Sequence, residues 1–150
     1  MKITHQFDQA ELDRRITNAI VFYQSAHQNH KNRGAIVVIS EDYFFKQLQD
    51  YDQLRGEGYT LFPSINFSPS CIYLKKPQAL IDADVSEIIK EVTEAYSVER
   101  KQAYDAHVES IVAESVARTE REAAKKAELA REKAVEAARK DALAALGTFS

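Results

Sequence analysis

QALIDADVSEIIKEVTEAYSVERKQAYDAHVESIVAESVARTEREAAKKAELAREKAVEAARKDALAAL, Gln78 to Leu146, contains neither glycine nor proline. These two residues disfavour helix interiors most strongly, by about 1 and 3 kcal/mol relative to alanine. Their absence over so long a span predicts a helical arm. The preceding sequence is punctuated differently. All three prolines (Pro63, Pro69, Pro77) and three of the four glycines (Gly34, Gly56, Gly58) lie before it. The chain therefore divides at Pro77 into a mixed head, residues 1–77, and an arm, residues 78–150.

Within the arm, Asp84-Val85-Ser86-Glu87 has the pattern of a capping box. Val85, Ile88, Ile89, Val92 and Tyr96 follow at helical spacing and are expected to complete the core of the head. A thinner stripe comes next, with Tyr104, Val108, Ile111, Val112 and Val116 as its large members. After Arg118 the chain is almost entirely Ala, Glu, Lys and Arg. Ala123, Ala127, Ala130, Ala134 and Ala137 alternate by four and three, which is coiled-coil-like heptad spacing. Gly147 is placed to close the helix.

Dimensions make this arm informative. A continuous helix from Asp84 to Leu146 is about 95 Å long at about 1.5 Å per residue. A head of about 80 residues is only about 25 Å across. The head cannot cover such an arm, so the arm folds back on itself, meets another chain or stands in solvent. Alanine buries little area, whereas Tyr104, Val108, Ile111, Val112 and Val116 are costly to leave in water. Self-association through these five residues, as a homo-oligomer and most simply a dimer, is the expectation. Charge bears on orientation. Residues 77–117 carry a net charge of -6 and residues 118–150 carry +2. An antiparallel pairing sets these halves against each other.

The head reads α-β-α-β-β. Asp8-Gln9-Ala10-Glu11 is a second capping box, followed by Leu12, Ile16, Ala19, Ile20, Tyr23 and Ala26 at helical spacing. This helix should run to about His30. Ala35 to Ile39 is an apolar, mostly β-branched run that reads as a strand covered on both faces. Ser40 is a suitable N-cap for a second helix, with Glu41 and Asp42 in its first turn, Phe44, Phe45, Leu48, Tyr51 and Leu54 on its apolar face, and Gly56 at its end. Tyr59 to Phe62, bent at Pro63 and continued by Ile65 to Phe67, should pair with Cys71 to Lys75 as an antiparallel hairpin. The fold class is α+β: a small mixed head with a hairpin, followed by a long helical arm.

The layout of a strand, a helix, Gly56-Glu57-Gly58-Tyr59-Thr60-Leu61 and a hairpin closing on Tyr73-Leu74-Lys75-Lys76 resembles small accessory proteins of tailed bacteriophages with a βαββ-type head, over residues 35–76. The resemblance implies host takeover or anti-defence, by binding and blocking a host protein in the host cytoplasm. It transfers no catalytic residue.

Composition narrows the remaining classes. The formal net charge is -3, which argues against a general nucleic-acid coat. No run of about 18 apolar residues is present, so no membrane-spanning helix is expected. The single cysteine, Cys71, precludes an internal disulfide and reads as a structural thiol in a strand. With no apolar leader at Met1, a cytoplasmic location is the expectation. His27 and His30, with His5 as a candidate third ligand, lack a metal-binding motif such as H-E-x-x-H, and they read as a polar helix end. The carboxylate pairs Asp50/Asp52, Asp82/Asp84 and Glu41/Asp42 sit where capping and solvation explain them better than acid–base chemistry. No cofactor or metal is implied, and the leading expectation is a non-enzymatic interaction protein. Its acidic arm face (Glu87, Glu91, Glu94, Glu99, Asp105, Glu109) would meet a basic partner. The alternatives are a nucleic-acid-binding accessory protein using Arg14, Arg15, Lys31 and Arg33, or a virion structural or scaffolding component.

Overall fold

The structure, a computed structural model, describes residues 5–40, 43–62 and 71–147. Its elements are α1 (Gln9–Ser25), β1 (Ile36–Ser40), α2 (Phe44–Gly56), β2 (Thr60–Leu61), β3 (Cys71–Lys75) and α3 (Gln78–Leu146). The class is α+β, with a three-stranded antiparallel sheet of order β1-β3-β2. Two compact units divide the chain, Met1–Lys101 and Gln102–Ser150.

In the first unit, α1 begins as its sequence requires. The Asp8 side chain accepts hydrogen bonds from the backbone N–H groups of Ala10 (3.1 Å) and Glu11 (3.3 Å), satisfying donors that a helix start leaves unpaired. The helix stops at Ser25, short of the expected His30. Residues 26–28 instead bond across to the next strand: Ile36 N–H donates to Ala26 O (3.2 Å) and Gln28 N–H to Ile36 O (2.7 Å). Asn29 then forms a tight turn, its Oδ1 accepting from Lys31 N–H (2.8 Å) and Asn32 N–H (2.9 Å). A side chain that bonds nearby backbone in this way competes with helix. The connection returns through Gly34, where close packing matters. A Cβ there would lie 2.2 Å from Ala26 O and 2.6 Å from His27 C.

Two expected helix starts are corrected. Ser40 ends β1, paired with Cys71, and the residue before α2 is Tyr43, whose side chain makes no capping bond. Glu41, Asp42 and the Ile65 to Phe67 continuation lie outside the described residues. Asp84 is no cap, because α3 starts at Gln78. Pro77 O accepts from the N–H groups of Leu80 (3.0 Å) and Ile81 (3.1 Å), so the proline's carbonyl opens the helix.

The hairpin is present, with Thr60 opposite Lys75 and Leu61 opposite Leu74. β3 is the central strand and β1 is an edge, with Ile36 and Ile39 buried and Val37 and Val38 partly so. An apolar run records burial of its side chains and says nothing of how many neighbours its backbone has. The core gathers Tyr23 of α1, Ala35, and Ile81 and Ile88 of α3, with Ala19, Val85 and Val92 packed against them. Leu12, Leu74 and Tyr96 are also buried. Each large side chain so buried contributes about 1.5–3 kcal/mol. Asp8 bonds to Tyr96 while Tyr23 bonds to Asp84, so α1 and this part of α3 run antiparallel. On α2, Phe44 (68% exposed) and Phe45 (81%) are outside the core, against expectation. Gln47 is the buried residue of that helix.

The second unit is the remainder of α3 and the residues after it. Gly147, with φ +75°, donates its N–H to Leu143 O at 2.9 Å and closes the helix as expected.

Candidate interaction site

Several ionic groups of the first unit are tied to one another. Where α1 leaves the core, Tyr23 Oη donates to Asp84 Oδ2 (2.7 Å) and Lys76 Nζ donates to the same oxygen (2.7 Å). Lys76 Nζ also donates to Gln28 Oε1 (2.9 Å), which accepts Gly34 N–H (3.1 Å). Arg33 lies 3.8 Å from Asp84 Oδ1 and 3.2 Å from Glu91 Oε1. Burial raises the Asp84 carboxyl, but hydrogen bonds from Lys76 and Tyr23 and the charges of Lys76 and Arg33 outweigh it. The carboxyl ends below its ordinary value. Burial, reinforced by the Asp84 acceptor, pushes the Tyr23 phenol well above its usual range.

A second cluster forms at the other end of α1. Arg15 Nη1 donates to Glu99 Oε2 (2.6 Å) and Arg15 Nε to Glu11 Oε1 (2.9 Å). Arg14 Nη2 donates to Glu11 Oε1 at 2.8 Å. Arg100 also pairs with Glu99. The guanidinium carbons of Arg15 and Arg100 lie 4.9 and 5.2 Å from the Tyr96 ring centroid, within cation–π range. Hydrogen bonds from Arg14 and then Arg15 hold Glu11 at about 2. Those from Arg15 and Arg100 lower Glu99.

This geometry locates the residues singled out in the sequence. Of the acidic series, Glu91 and Glu99 are struts to Arg33 and Arg15, while Glu87, Glu94, Asp105 and Glu109 are exposed. Of the basic series, Arg14, Arg15 and Arg33 are engaged with carboxylates and Lys31 is exposed. His27 packs against Tyr73, with ring centroids 5.3 Å apart. Cys71 is a partly buried free thiol. Among the described residues, no group of three or more His, Cys, Asp or Glu is arranged to hold a metal ion, and no helix is long and apolar enough to cross a membrane.

Two surfaces stand out. On the second unit, Tyr104 (52% exposed), Ile111, Val112 and Val116 project from α3 at about half exposure, and Val108 is partly buried. At 100° per residue, Val112 and Val116 share a face with Ala123, Ala127, Ala130, Ala134 and Ala137. On the first unit, a groove of about 390 Å³ lies between β1 and α2, lined by Val37, Val38, Ile39, Ser40, Asp50, Gln53, Leu54 and Glu57. Sequence reasoning missed this groove because an apolar run does not reveal strand order, which makes β1 an edge. No protein-family model, curated protein or solved structure matches the chain.

Proposed function

We propose that this is a non-enzymatic interaction protein whose α3 pairs with a second copy through Tyr104, Val108, Ile111, Val112 and Val116. The observation that carries the reading is the half exposure of Tyr104, Ile111, Val112 and Val116 on one helix. The charge distribution supports an antiparallel arrangement, since residues 77–117 and 118–150 carry opposite net charge. Engagement of Arg14, Arg15 and Arg33 by carboxylates weighs for a protein partner over nucleic acid, which needs basic groups available to phosphates.

The strength of pairing can be bounded. Five side chains from each copy, each gaining about 1 kcal/mol on covering their exposed half, give about 10 kcal/mol gross. Association costs at least about 4 kcal/mol. The remainder, at most about 6 kcal/mol, corresponds to a Kd of tens of micromolar at the tightest. Sedimentation velocity across about 1 µM to 1 mM should show a monomer–dimer transition. The triple variant Ile111→Gln, Val112→Gln, Val116→Gln keeps good helix formers and should remain monomeric throughout. A wild-type chain that stays monomeric at the top of this range rejects the reading.

A further inference from the structure

The backbone of β1 offers bonding groups that the described residues do not use. Ile36 turns its N–H and C=O away from the sheet, to Ala26 O and Gln28 N–H. Strand backbones alternate with a period of two. Val38 and Ser40 therefore direct their N–H and C=O groups to the same outer side, while Val37 and Ile39 face Leu74 and Ile72 of β3. Among the described residues, only the Ile36 end of this edge is bridged, by His27.

The groove beside α2 lies on this edge. Val37, Val38, Ile39 and Ser40 are consecutive, and their side chains alternate between faces, yet all four line it. What consecutive strand residues share is backbone, so the groove follows the strand's edge. Its opposite wall is one face of α2, with Asp50, Gln53 and Leu54, continued by Glu57 just past the end of the helix. Native edges are commonly blunted by lysine, proline or a bulge. Ile36-Val37-Val38-Ile39-Ser40 carries no such residue.

We propose that this groove captures an extended segment of a partner protein, which adds to β1 as a fourth strand. Val38 and Ser40 supply main-chain bonds, and the partly buried Val37 and Leu54 receive apolar side chains. The captured segment is basic. Asp50 and Glu57 line the groove and no basic side chain does; Asp50 is also bound by Lys46 (2.9 Å) from outside that lining, and Glu57 accepts from Gln53 (3.3 Å). This surface is independent of the self-association proposed for α3.

The probe is a capped hexapeptide of alternating lysine and valine, titrated into the full-length, isotope-labelled chain and followed by amide chemical shifts. Shifts should concentrate at residues 37–40 and 50–57. Three comparisons isolate the mechanism. N-methylation of alternate peptide amides should abolish binding, since it removes edge donors. Replacing lysine by glutamate in the peptide should weaken it. The double variant Asp50→Asn, Glu57→Gln should weaken binding of the lysine peptide by about tenfold or more. No shifts at millimolar peptide and low salt, equal binding of the N-methylated peptide, equal binding to the double variant, or shifts mapping elsewhere each overturn the proposal. So does protection of the Val38 amide from hydrogen exchange in the peptide-free chain, because a second copy would then occupy the edge.

Discussion

Replacing Gly34 by alanine probes the join between α1 and the sheet. The added methyl carbon would sit 2.2 Å from Ala26 O and 2.6 Å from Ala26 C, whereas an ordinary carbon–oxygen contact is about 3.3 Å or more. Backbone surrounds the site, so no flexible side chain can swing away. The 26–28 segment has to retreat by about 1 Å. Such a shift breaks two bonds, Ile36 N–H to Ala26 O (3.2 Å) and Gln28 N–H to Ile36 O (2.7 Å). At about 1 kcal/mol each, plus about 1 kcal/mol for desolvated groups left unpaired, the loss is about 3 kcal/mol. For a unit of this size each kcal/mol lowers Tm by about 4–8 °C, so the fall should be about 12–24 °C. The melt is best followed by near-ultraviolet circular dichroism of the tyrosines, because Tyr23 and Tyr96 are buried and the chain has no tryptophan. Gly56→Ala is the matched control: nothing lies within 4 Å of its added carbon, and it should be neutral or stabilising by up to about 1 kcal/mol. A Gly34→Ala melt within about 3 °C of wild type would refute the reasoning.

Asp84→Asn should destabilise the first unit by about 1–2 kcal/mol at neutral pH, through loss of charge-assisted bonds to Lys76. Because the folded carboxyl is lowered, its contribution is present above the unfolded value of about 4 and is lost as pH falls through the folded one. The variant's acid-unfolding curve should therefore be flatter below about pH 4, and an unchanged curve from urea melts at several pH values would count against this. Tyr96→Phe removes the acceptor of Asp8 N–H (3.0 Å) and the donor to Asp8 O (3.3 Å) while keeping a ring beside Arg15 and Arg100. It should cost about 1–2 kcal/mol in urea denaturation and raise hydrogen exchange at Asp8.

Local chemistry was legible where it was self-sufficient. The Asp8 cap, the Gly147 stop, the hairpin and the uninterrupted α3 follow from residues within a few positions of each other. The departures have one physical character: a distant group wins over a local pattern. Asp84 and Glu87 are spaced as a capping box, but the Asp84 carboxylate is spent on Tyr23 and Lys76. His27 lies beyond a helical pattern that continues past Ser25, but its neighbours pair with Ile36. Phe44 and Phe45 have core chemistry and surface positions. The acidic series showed where carboxylates lie along α3 but not which ones meet arginines of α1 and the 26–34 connection. The β1–α2 groove had no sequence signal, since edge status depends on strand order.

Lys76 has a consequence of its own. Its side chain is only 10% exposed, and its amine is held between a carboxylate and an amide. Reagents that acylate amines need an approachable nitrogen, so the exposed Lys31 and the lysines near the carboxy terminus should be tagged while Lys76 is spared. The slow appearance of tag at Lys76 would then time the opening of the first unit, residue-resolved by mass spectrometry and without any engineered label.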